Sequence, residues 1–465
     1  MISLVTFMAA AFVAAEGGDE LRLFQTTASK DFREIATSGF SIHSYPAVEA
    51  LDVDAARPKH EFLALGASLT DASAWVLSKM PAGKRDKLLR ELFTPEGCNL
   101  GAVRLNIGAS DYSTGLYSYN DTPGDVEMKN FSIARDDEFL VPMAKAIKAL
   151  RPDTYVFASP WSPPGWMKTS GLMISGNLKD EFMPALANYF VKYVQSYAER
   201  GISIDAVTPQ NETMCDTKGQ YPCCTYPAAQ EGAFVRDHLA PAFRRAGLAT
   251  KIWVHDHDPS TNGAKRVNAL LAEPGVAESI DGVAWHCYCA PEYSTNLVPV
   301  KAAYPDLPFY HTENGPHVVV DERTEWWWAA KVFGMLQCGC GLFTSWNLCL
   351  DELGTPATGA HLCGGFTVVD SDTHEVSYSQ QYRLFRHIGP FVKRGARIME
   401  VDGSRDGTRL ILFRNPDGEN VLVVACDGTL VRRKQRRRLV VKHKGRYKTL
   451  PLPGGQWSVS TLVFK

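Results

Sequence analysis

The stretch Ile204-Asp-Ala-Val-Thr-Pro-Gln-Asn-Glu212 decides the fold of this chain. A short apolar run, Ile204–Val207, passes directly into a polar segment that ends in an amide and a carboxylate. This pattern is typical of a buried β-strand that ends at a loop. The stretch Tyr310-His-Thr-Glu-Asn-Gly315 repeats it later, so Glu212 and Glu313 are both expected where a strand ends. Such a glutamate is commonly a solvated loop residue, and the rest of the chain decides whether the two form a pair.

Short apolar runs recur along the central part of the chain and alternate with longer stretches of helical character. The runs are Phe62–Leu65, Ala102–Leu105, Tyr155–Ala158, Ile204–Val207, Ile252–Val254, Gly282–Trp285, Pro308–Tyr310 and Leu342–Thr344. The helical stretches are Ala72–Phe93, Asp136–Leu150, Asp180–Arg200, Ala228–Ala246, Asn262–Ala272 and Glu322–Cys338. Eight strands alternating with helices predict an α/β fold of the (β/α)8 TIM barrel type. A doubly wound open sheet is the alternative, but Gly66-Ala-Ser-Leu-Thr70 does not supply its glycine-rich nucleotide turn.

From about Phe391 the residue pattern changes to alternating strand-like runs separated by residues typical of turns. These runs are Arg409–Phe413, Val421–Ala425, Leu439–Val441 and Val459–Phe464. We predict an antiparallel β-sandwich over residues 391–465. Strands from residues 16–58 would complete it, because a four-stranded sheet alone leaves an unpaired face. The catalytic barrel would then cover residues 59–390.

Composition and charge limit the partners. The chain has 465 residues, of which 45% are hydrophobic and 22% charged, as is usual for a soluble globular protein. A net charge of −2 gives no electrostatic field that would favour binding of nucleic acid. We also expect the protein to be a monomer. The basic run Arg432–Arg438 is either a solvated hairpin tip or a contact for an anionic polymer or lipid surface.

The first fifteen residues are apolar and small, with Val13-Ala-Ala15 as a cleavage site before Glu16. This segment is too short to span a bilayer and predicts a signal peptide over residues 1–15 and a secreted protein. A buried N-terminal segment is the alternative, since no positive charge precedes the apolar run.

Eleven cysteines suggest no metal site. In an exported protein, a local disulfide could form within the closely spaced group Cys215, Cys223 and Cys224. Two C-x-C pairs, Cys287/Cys289 and Cys338/Cys340, do not have the usual zinc-ligand spacing and are predicted to be buried free thiols. No metal and no cofactor is expected.

Polar and aromatic residues gather at the predicted strand ends, where barrel enzymes build their sites. They are Asp71, Arg104, Trp161, Asn211, Glu212, His255 to Asp258, His286, Tyr288, Glu313, Trp346 and Asn347. Packing could explain any one of these residues, but it does not predict that polar and aromatic residues stand at nearly every strand end. Glu212 ends the fourth strand and Glu313 the seventh, so the two carboxyls face each other across the barrel mouth. A retaining β-glycosidase needs such a pair, one carboxyl as nucleophile and the other as acid and then base.

Neighbouring residues fit the same chemistry. Arg104 and Tyr288 would help to keep a nucleophile ionised. Asn211 can hydrogen-bond a sugar 2-hydroxyl, an interaction that tightens towards the transition state. The faces of Trp161, Trp166 and Trp346 suit a pyranose ring, with core packing as the alternative for each.

Six stretches carry a family resemblance. They are Leu69-Thr-Asp-Ala72, Arg104-Leu-Asn-Ile-Gly-Ala-Ser-Asp-Tyr-Ser113, Ala158-Ser-Pro-Trp-Ser-Pro-Pro-Gly-Trp-Met-Lys168, Thr208-Pro-Gln-Asn-Glu212, Thr312-Glu313 and Ser345-Trp-Asn-Leu-Cys-Leu-Asp351. From residue 62 to about 395 the chain resembles the family 30 glycoside hydrolases, the glucosylceramidase-like group of retaining β-glycosidases. The resemblance implies a barrel with a side β-sandwich built from both chain ends. It also implies Glu212 as acid/base, Glu313 as nucleophile, Asp71, Trp161, Asn211 and Trp346 around the −1 sugar, and Arg104, His286 and Tyr288 near the nucleophile.

The chain departs from the family pattern at three places. Gly66-Ala67 replaces a glycine pair, His311 precedes Thr312-Glu313, and the loop Asp351–Gly359 lacks an asparagine that often follows its Gly-Pro in glucosylceramidases. The last departure argues against glucosylceramide itself. The predicted substrate is a β-linked oligosaccharide, polysaccharide or glycolipid, such as β-1,6-glucan or a glucosylceramide-type linkage. A β-xylosidase or β-galactanase, or a carbohydrate-binding relative without catalysis, remains as an alternative. A barrel enzyme for phosphorylated metabolites is disfavoured, because no lysine stands at a strand end.

Overall fold

A computed structural model gives the architecture. It describes residues 21–42, 50–214, 220–316, 325–359, 363–401, 407–430, 438–453 and 455–465. The predicted signal peptide, Cys215 and residues 432–437 of the basic run lie outside these ranges.

The strands and helices follow one another along the chain as follows. The strands are β1 Arg22–Thr27, β2 Lys30–Ile35, β3 Ala50–Asp52, β4 Arg57–Glu61, β5 Ala64–Ser68, β6 Ala102–Asn106, β7 Tyr155–Ser159, β8 Ala206–Val207, β9 Lys251–His257, β10 Gly282–His286, β11 Phe309–Glu313, β12 Cys340–Ser345, β13 Cys349–Asp351, β14 Thr367–Val369, β15 Val376–Tyr378, β16 Arg397–Glu400, β17 Thr408–Arg414, β18 Asn420–Asp427, β19 Arg438–His443, β20 Arg446–Pro451 and β21 Trp457–Phe464. The α-helices are α1 Asp71–Lys79, α2 Ala82–Phe93, α3 Leu140–Leu150, α4 Met183–Glu199, α5 Ala228–Ala233, α6 Ala240–Arg245, α7 Thr261–Ala272, α8 Leu297–Ala303, α9 Glu325–Gln337 and α10 Gln380–Phe385.

Strands β5 to β12 close into a barrel in which every neighbouring pair is parallel, and β12 pairs with β5 to complete the ring. The (β/α)8 prediction is therefore confirmed. Several strand bounds were wrong. β11 runs on to Glu313, which pairs with His286 of β10 and so belongs to the strand instead of the following loop.

The barrel interior is filled near the N-terminal strand ends by what we call the apolar layer. Its members come one from each barrel strand and are Ala64, Ala102, Phe157, Ala206, Trp253, Ala284, Tyr310 and Leu342. Trp253 stacks on Tyr310 with ring centroids 3.9 Å apart, and small alanines leave room for these rings. A Cβ at Gly66 would lie 2.9 Å from the carbonyl oxygen of Ala102, so β5 and β6 approach closely only because this residue is glycine.

Antiparallel strands from both chain ends form a second region. A seven-stranded sheet has the order β2-β1-β21-β18-β17-β16-β4, and a three-stranded sheet has the order β20-β19-β3. A shared apolar cluster that includes Leu23, Leu412, Leu450 and Leu462 packs between them. The expectation of only four strands after residue 391 was wrong, because β16 and β20 lack a long apolar run and owe their strand structure to pairing with neighbours.

One helix prediction needs correction, and another, Glu322–Cys338, begins in residues outside the described ranges. The expected continuous helix over Ala228–Ala246 is interrupted between α5 and α6 by a π-helical turn at Phe234–Leu239. The last predicted helix begins at Glu325 in the described part of the chain. None of the helices within the described ranges is long and apolar enough to cross a membrane.

The described cysteines are free thiols in this structure. Cys287 and Cys340 are buried, whereas their partners in the C-x-C pairs, Cys289 and Cys338, are half-buried. Cys223 and Cys224 are buried, and the structure shows no disulfide between these two neighbours.

Candidate active site

A cavity of about 280 Å³ opens at the C-terminal ends of the barrel strands. It is lined by Asp111, Trp161, Asn211, Glu212, Tyr221, Tyr288, Glu313, Asn314, Gly315, Lys331, Trp346 and Cys363. The structure thus brings together both predicted carboxylates, Asn211, Tyr288 and two of the three tryptophans predicted to face the sugar, Trp161 and Trp346. Arg104 and His286 lie directly behind them and contact Glu313 and Glu212.

Glu313 is the last residue of β11 and is buried by groups that favour its ionised form. Arg104 donates a hydrogen bond to its Oε2 atom, and the Tyr288 hydroxyl donates to its Oε1 atom over 3.0 Å. Burial raises the pKa of Glu313, as does the nearby Glu212 charge, while the positive charges of His286 and Arg104 oppose this rise. Such contacts suit a carboxylate that must react as an anion.

Glu212 approaches the same space from the loop after β8. Its backbone has φ of 49°, a left-handed conformation that few non-glycine residues adopt, and its N–H donates to the Asp256 carbonyl over 2.9 Å. Its Oε1 atom lies 3.3 Å from Nδ1 of His286. The Glu212 side chain is 17% exposed and that of Glu313 only 6%, so Glu212 is the carboxylate nearer to solvent.

The two carboxylates are close. One ligand atom each of Glu212, Glu313 and His286 lies within 4.8 Å of the others. This trio could hold a metal ion by distance alone. However, Arg104 already neutralises Glu313, and His286 is held as a cation whose Nδ1 proton opposes coordination. The arrangement therefore suits proton transfer better than metal binding.

Asp256 connects the strands beneath the carboxylates; it stood within the predicted strand-end range His255 to Asp258 but was given no role in the site. Its donors are Arg104, Ser159, Thr208, His286 and Thr312, from β6, β7, the end of β8, β10 and β11. We call these six residues the polar network. The charge of Arg104 and the hydrogen bonds of this network outweigh burial and hold the pKa of Asp256 far below its usual range.

His286 links this network to both carboxylates. Its Nε2 atom lies 3.1 Å from Asp256 Oδ1, and its Nδ1 atom lies 3.8 Å from Glu313 Oε1. Burial alone would lower the pKa of His286, but Glu313, Asp256 and Glu212 together raise it to about 10. His286 is thus a fixed cation at neutral pH.

The predicted aromatic platform is present. Trp161 and Trp346 stack with centroids 5.0 Å apart, and the Arg104 guanidinium lies 4.8 Å from the Trp161 ring. A Cβ at Gly315 would lie 2.9 Å from the Trp346 Cβ, so glycine makes room for this ring. Asn211 accepts from Arg104 over 2.9 Å through its amide oxygen, which leaves its NH₂ group for a ligand.

Two residues that were predicted to contact the sugar, Asp71 and Trp166, are not among the residues that line this cavity. Asp71 was predicted at the sugar, but its Oδ2 accepts from the Thr114 N–H and hydroxyl, both over 2.7 Å, and it does not line the cavity. Asp71 begins α1, and its carboxylate is hydrogen-bonded to the neighbouring loop that contains Thr114. Trp166 donates from Nε1 to the Asn120 carbonyl over 2.9 Å and lines a separate apolar groove.

Asp111 lines the cavity although it was not among the predicted sugar contacts. Its Oδ1 has no hydrogen-bond partner, and burial with the charges of Glu313 and Glu212 raises its pKa well above the usual range. Asp111 stands several residues beyond the end of β6, so counting only strand-end residues misses it. Its presence in the Arg104–Ser113 motif was the available signal.

His311 departs from the family pattern for packing reasons. It is fully buried, stacks on Phe343 with centroids 3.7 Å apart, and receives a hydrogen bond at Nδ1 from the Thr344 N–H. It therefore faces away from the cavity. In the Asp351–Gly359 loop, Thr358 instead donates to the carbonyl oxygen of Ser110, next to Asp111.

Known proteins share these features. The family model described as the glycosyl hydrolase family 30 TIM-barrel domain matches residues 63–394. An endo-1,6-β-D-glucanase of Neurospora crassa is 31% identical over 394 residues, covering 78% of this chain and 81% of that protein. A putative glucosylceramidase 4 of Caenorhabditis elegans is 28% identical over 76% of this chain and 74% of its own length. The solved structure of the endo-β1,6-glucanase BT3312 has a TM-score of 0.84 at 25% identity and covers 95% of this chain and 99% of that chain.

The family match spans well over half of the chain and includes both glutamates of the cavity. The chain therefore belongs to family 30 of the glycosyl hydrolases and is a glycosidase.

Proposed function

We propose that this protein hydrolyses β-1,6-linked glucan with retention of anomeric configuration, by double displacement. The observation that carries the mechanism is the separation of Glu212 and Glu313, whose nearest carboxylate oxygens lie within 4.8 Å. Retaining enzymes hold their carboxyls about 5–5.5 Å apart, whereas inverting enzymes leave about 6.5–9.5 Å for a water. The cavity between these two residues therefore supports direct attack by one carboxylate.

Charge balance assigns the roles. Arg104 and His286 supply two positive charges, which the buried Asp256 and Glu313 carboxylates neutralise. Glu212 is the additional carboxylate beside Glu313, and the negative charge of an ionised Glu313 favours the protonated form of this neighbour, which supports Glu212 as the proton donor at the start of the reaction. Glu313 then attacks the anomeric carbon while Glu212 donates its proton to the leaving-group oxygen.

The second step reverses the role of Glu212. Once Glu313 forms a glycosyl ester it carries no charge, so Glu212 sits beside a neutral group and its ionised form is favoured. Glu212 then takes a proton from water as the water attacks the anomeric carbon. Its greater exposure gives this water a path to the ester.

The sugar in the −1 site would lie against Trp161 and Trp346. The free NH₂ group of Asn211 faces the same space and can donate to the 2-hydroxyl. Asp111 has an unpaired buried oxygen at the cavity wall and is the best placed side chain to accept from or donate to another hydroxyl. We propose these four residues, together with Tyr288, as the sugar-binding set.

The substrate assignment rests on relatives. The Neurospora crassa protein and BT3312 are both named as endo-1,6-β-glucanases, and the former is the more similar of the two curated relatives given above. Glucosylceramide is the second candidate, favoured by the Caenorhabditis elegans relative and opposed by the missing asparagine in Asp351–Gly359. β-Xyloside and β-galactan linkages would use the same carboxylates. An inactive carbohydrate-binding relative is disfavoured because both carboxylates and their partners are in place.

The setting of the enzyme is also a proposal. We propose a secreted monomer with a signal peptide over residues 1–15, a barrel over 59–390, and a β-sandwich from 16–58 and 391–465. The joint sheet of β1, β2 and β4 with C-terminal strands supports this division. The basic run Arg432–Arg438 would contact anionic surfaces, and its last residue opens β19.

The test is a hydrolysis panel. It compares β-1,6-glucan, glucosylceramide and aryl β-glucoside, β-xyloside, β-galactoside and β-fucoside, with products sized by chromatography and their anomers followed by NMR. We expect β-1,6-glucan to be cleaved fastest, with β-anomers released first. Initial release of α-anomers would contradict double displacement, and faster cleavage of glucosylceramide would contradict the glucan assignment alone.

A further inference from the structure

We propose that Lys331 is a positioning residue of this site. From α9 it clamps the segment Cys287–Cys289 so that the Tyr288 hydroxyl stays on Glu313. The proposal rests on the proposed role of Glu313 as nucleophile and adds a residue that no strand-end pattern indicates.

The contacts of Lys331 bracket Tyr288. The side chain is 2% exposed, and its Nζ atom donates to the carbonyl oxygen of Cys287 and, over 2.7 Å, to that of Cys289. These carbonyls belong to the residues directly before and after Tyr288. A buried ammonium that bonds both carbonyls fixes the Cys287–Tyr288 peptide unit and the backbone of Cys289 after it, and so holds the chain on both sides of the Tyr288 side chain.

Packing does not fix Tyr288. The residue is 40% exposed, and its nearest aromatic neighbour, His286, lies edge-on at 6.2 Å between centroids. Its backbone N–H donates to Asp258 Oδ1 over 2.7 Å, and Asn314 supports the Cys287 carbonyl that Lys331 also binds. The position of the hydroxyl therefore depends on backbone anchors, of which Lys331 is the only one that holds both sides of Tyr288 among those in the described ranges.

The hydroxyl matters because it donates to Glu313 Oε1 over 3.0 Å. A hydrogen bond to the ionised carboxylate lowers its pKa, so loss of this bond raises the pKa of Glu313. The ionised form of Glu313 would then be lost at a higher pH, and the acidic limb of kcat/KM moves to higher pH. The charged and titratable groups that face Glu313 are Arg104, His286, Tyr288, Glu212, Asp256, Asp111 and Cys363.

The experiment is a double-mutant cycle on the hydrolysis of an aryl β-glucoside or β-1,6-oligosaccharide. It uses Lys331→Met, which keeps length without donors, Tyr288→Phe, and the double variant, with full pH profiles of kcat and kcat/KM. Lys301→Met is the matched control, since Lys301 is a half-buried lysine that also donates to a backbone carbonyl, that of Leu307, but lines a cavity at the other end of the barrel. We expect Lys331→Met to lower kcat/KM by up to about 100-fold and to move the acidic limb of the kcat/KM profile to higher pH. Lys301→Met should change neither quantity.

The decisive result is the effect of Lys331→Met in the Tyr288→Phe background. If Lys331 acts through Tyr288, the second substitution adds little loss and no further shift of the acidic limb. An equal loss or shift in both backgrounds would overturn the proposal, because it would show a direct field or a general structural effect. If Lys331→Met does not fold, Lys331→Arg gives the same cycle with charge kept and donor geometry changed. Failure of the nucleophile assignment itself would show separately, as turnover retained by Glu313→Gln.

Discussion

The two layers inside the barrel contain residues from the same strands but differ completely in chemistry. The apolar layer near the N-terminal strand ends is hydrocarbon and aromatic ring, with Trp253, Tyr310 and Phe157 filling space between alanines. The polar network one step nearer the C-terminal ends is charged, fully buried and hydrogen-bonded through Asp256. The first layer has no group that could act on a substrate, whereas the second directly orients both carboxylates.

Strand periodicity explains the change. Residues two apart along a strand face the same side, so the residue two after each member of the apolar layer enters the next layer. Ala102 is followed in this way by Arg104, Ala284 by His286 and Tyr310 by Thr312. The contrast therefore predicts that substitutions in the apolar layer change stability, and that substitutions at the mouth change rate.

The largest expected effect is that of Glu313→Gln. The amide cannot form the covalent intermediate, so kcat should fall by at least about 10⁴-fold, equivalent to about 5.5 kcal/mol of activation free energy. The fold should survive with lower stability, because Gln keeps the shape of Glu313 and Arg104 and His286 keep Asp256 as a carboxylate partner. Steady-state kinetics and a thermal melt measure both quantities.

Glu212→Ala is the matched control for that variant. With an activated aryl glycoside, azide should restore turnover to Glu212→Ala, because the azide anion attacks the anomeric carbon without help from a base and releases Glu313 from the ester, but it should not rescue Glu313→Gln. Near-normal activity of Glu313→Gln would remove the nucleophile assignment.

Asp256→Asn should lower both stability and rate, because Asp256 belongs to the polar network of the active site and also connects neighbouring strands. The substitution leaves Arg104 and His286 facing an amide that cannot neutralise them. Breaking such a buried ion network costs about 3–5 kcal/mol of unfolding free energy. We expect this loss in denaturant titrations together with a lower kcat in the folded protein. Unchanged stability would show that the network serves orientation alone.

Asp256 also shows where prediction from sequence ended. Alternation from Trp253 predicts that His255 enters the mouth, but His255 packs against Trp285 with centroids 4.7 Å apart. A β-bulge shifts the pairing of β9 and β10 from His255↔Ala284 to His257↔Trp285, and His255 and Asp256 have φ of 80° and 48°. The bulge turns Asp256 inward instead. A local backbone irregularity of this kind has no apolar pattern to reveal it.

The barrel, the two glutamates and the tryptophan pair were predictable for the opposite reason. Each follows a short apolar run whose length and order define a strand, and strand ends meet at one mouth. Asp71 and Asp111 could not be told apart in this way, because both stand in or next to loops whose paths the strand pattern does not determine. The same limit applies to Lys331, which lies on a helix and reaches the site through its long side chain.

Trp253→Ala tests the apolar layer. It leaves a cavity beneath Tyr310 and Phe157, and truncating a buried tryptophan costs about 3–5 kcal/mol. The expected result is a lower melting temperature with kcat/KM of the folded protein changed by no more than a few-fold, measured well below the melt. Ala284→Gly, in the same layer, is a milder control. A large loss of kcat/KM in stably folded Trp253→Ala would show that the two layers are coupled.

The smallest expected effect is a dependence of stability on pH through His286. Its pKa is raised to about 10 in the folded protein from 6.5, so the folded state binds a proton more tightly than the unfolded chain. This stabilisation is complete below the unfolded pKa of 6.5, decreases above it and is lost as pH rises through about 10. The groups that face His286 are Glu212, Asp256, Glu313, His257 and Tyr288. Denaturant titrations of the wild type and His286→Asn between pH 6 and 10 should show a stability difference that shrinks with pH. A difference that is constant over this range would mean that His286 is neutral in the folded protein. The site would then hold one positive charge fewer, and the charge balance would no longer support Glu212 as the proton donor.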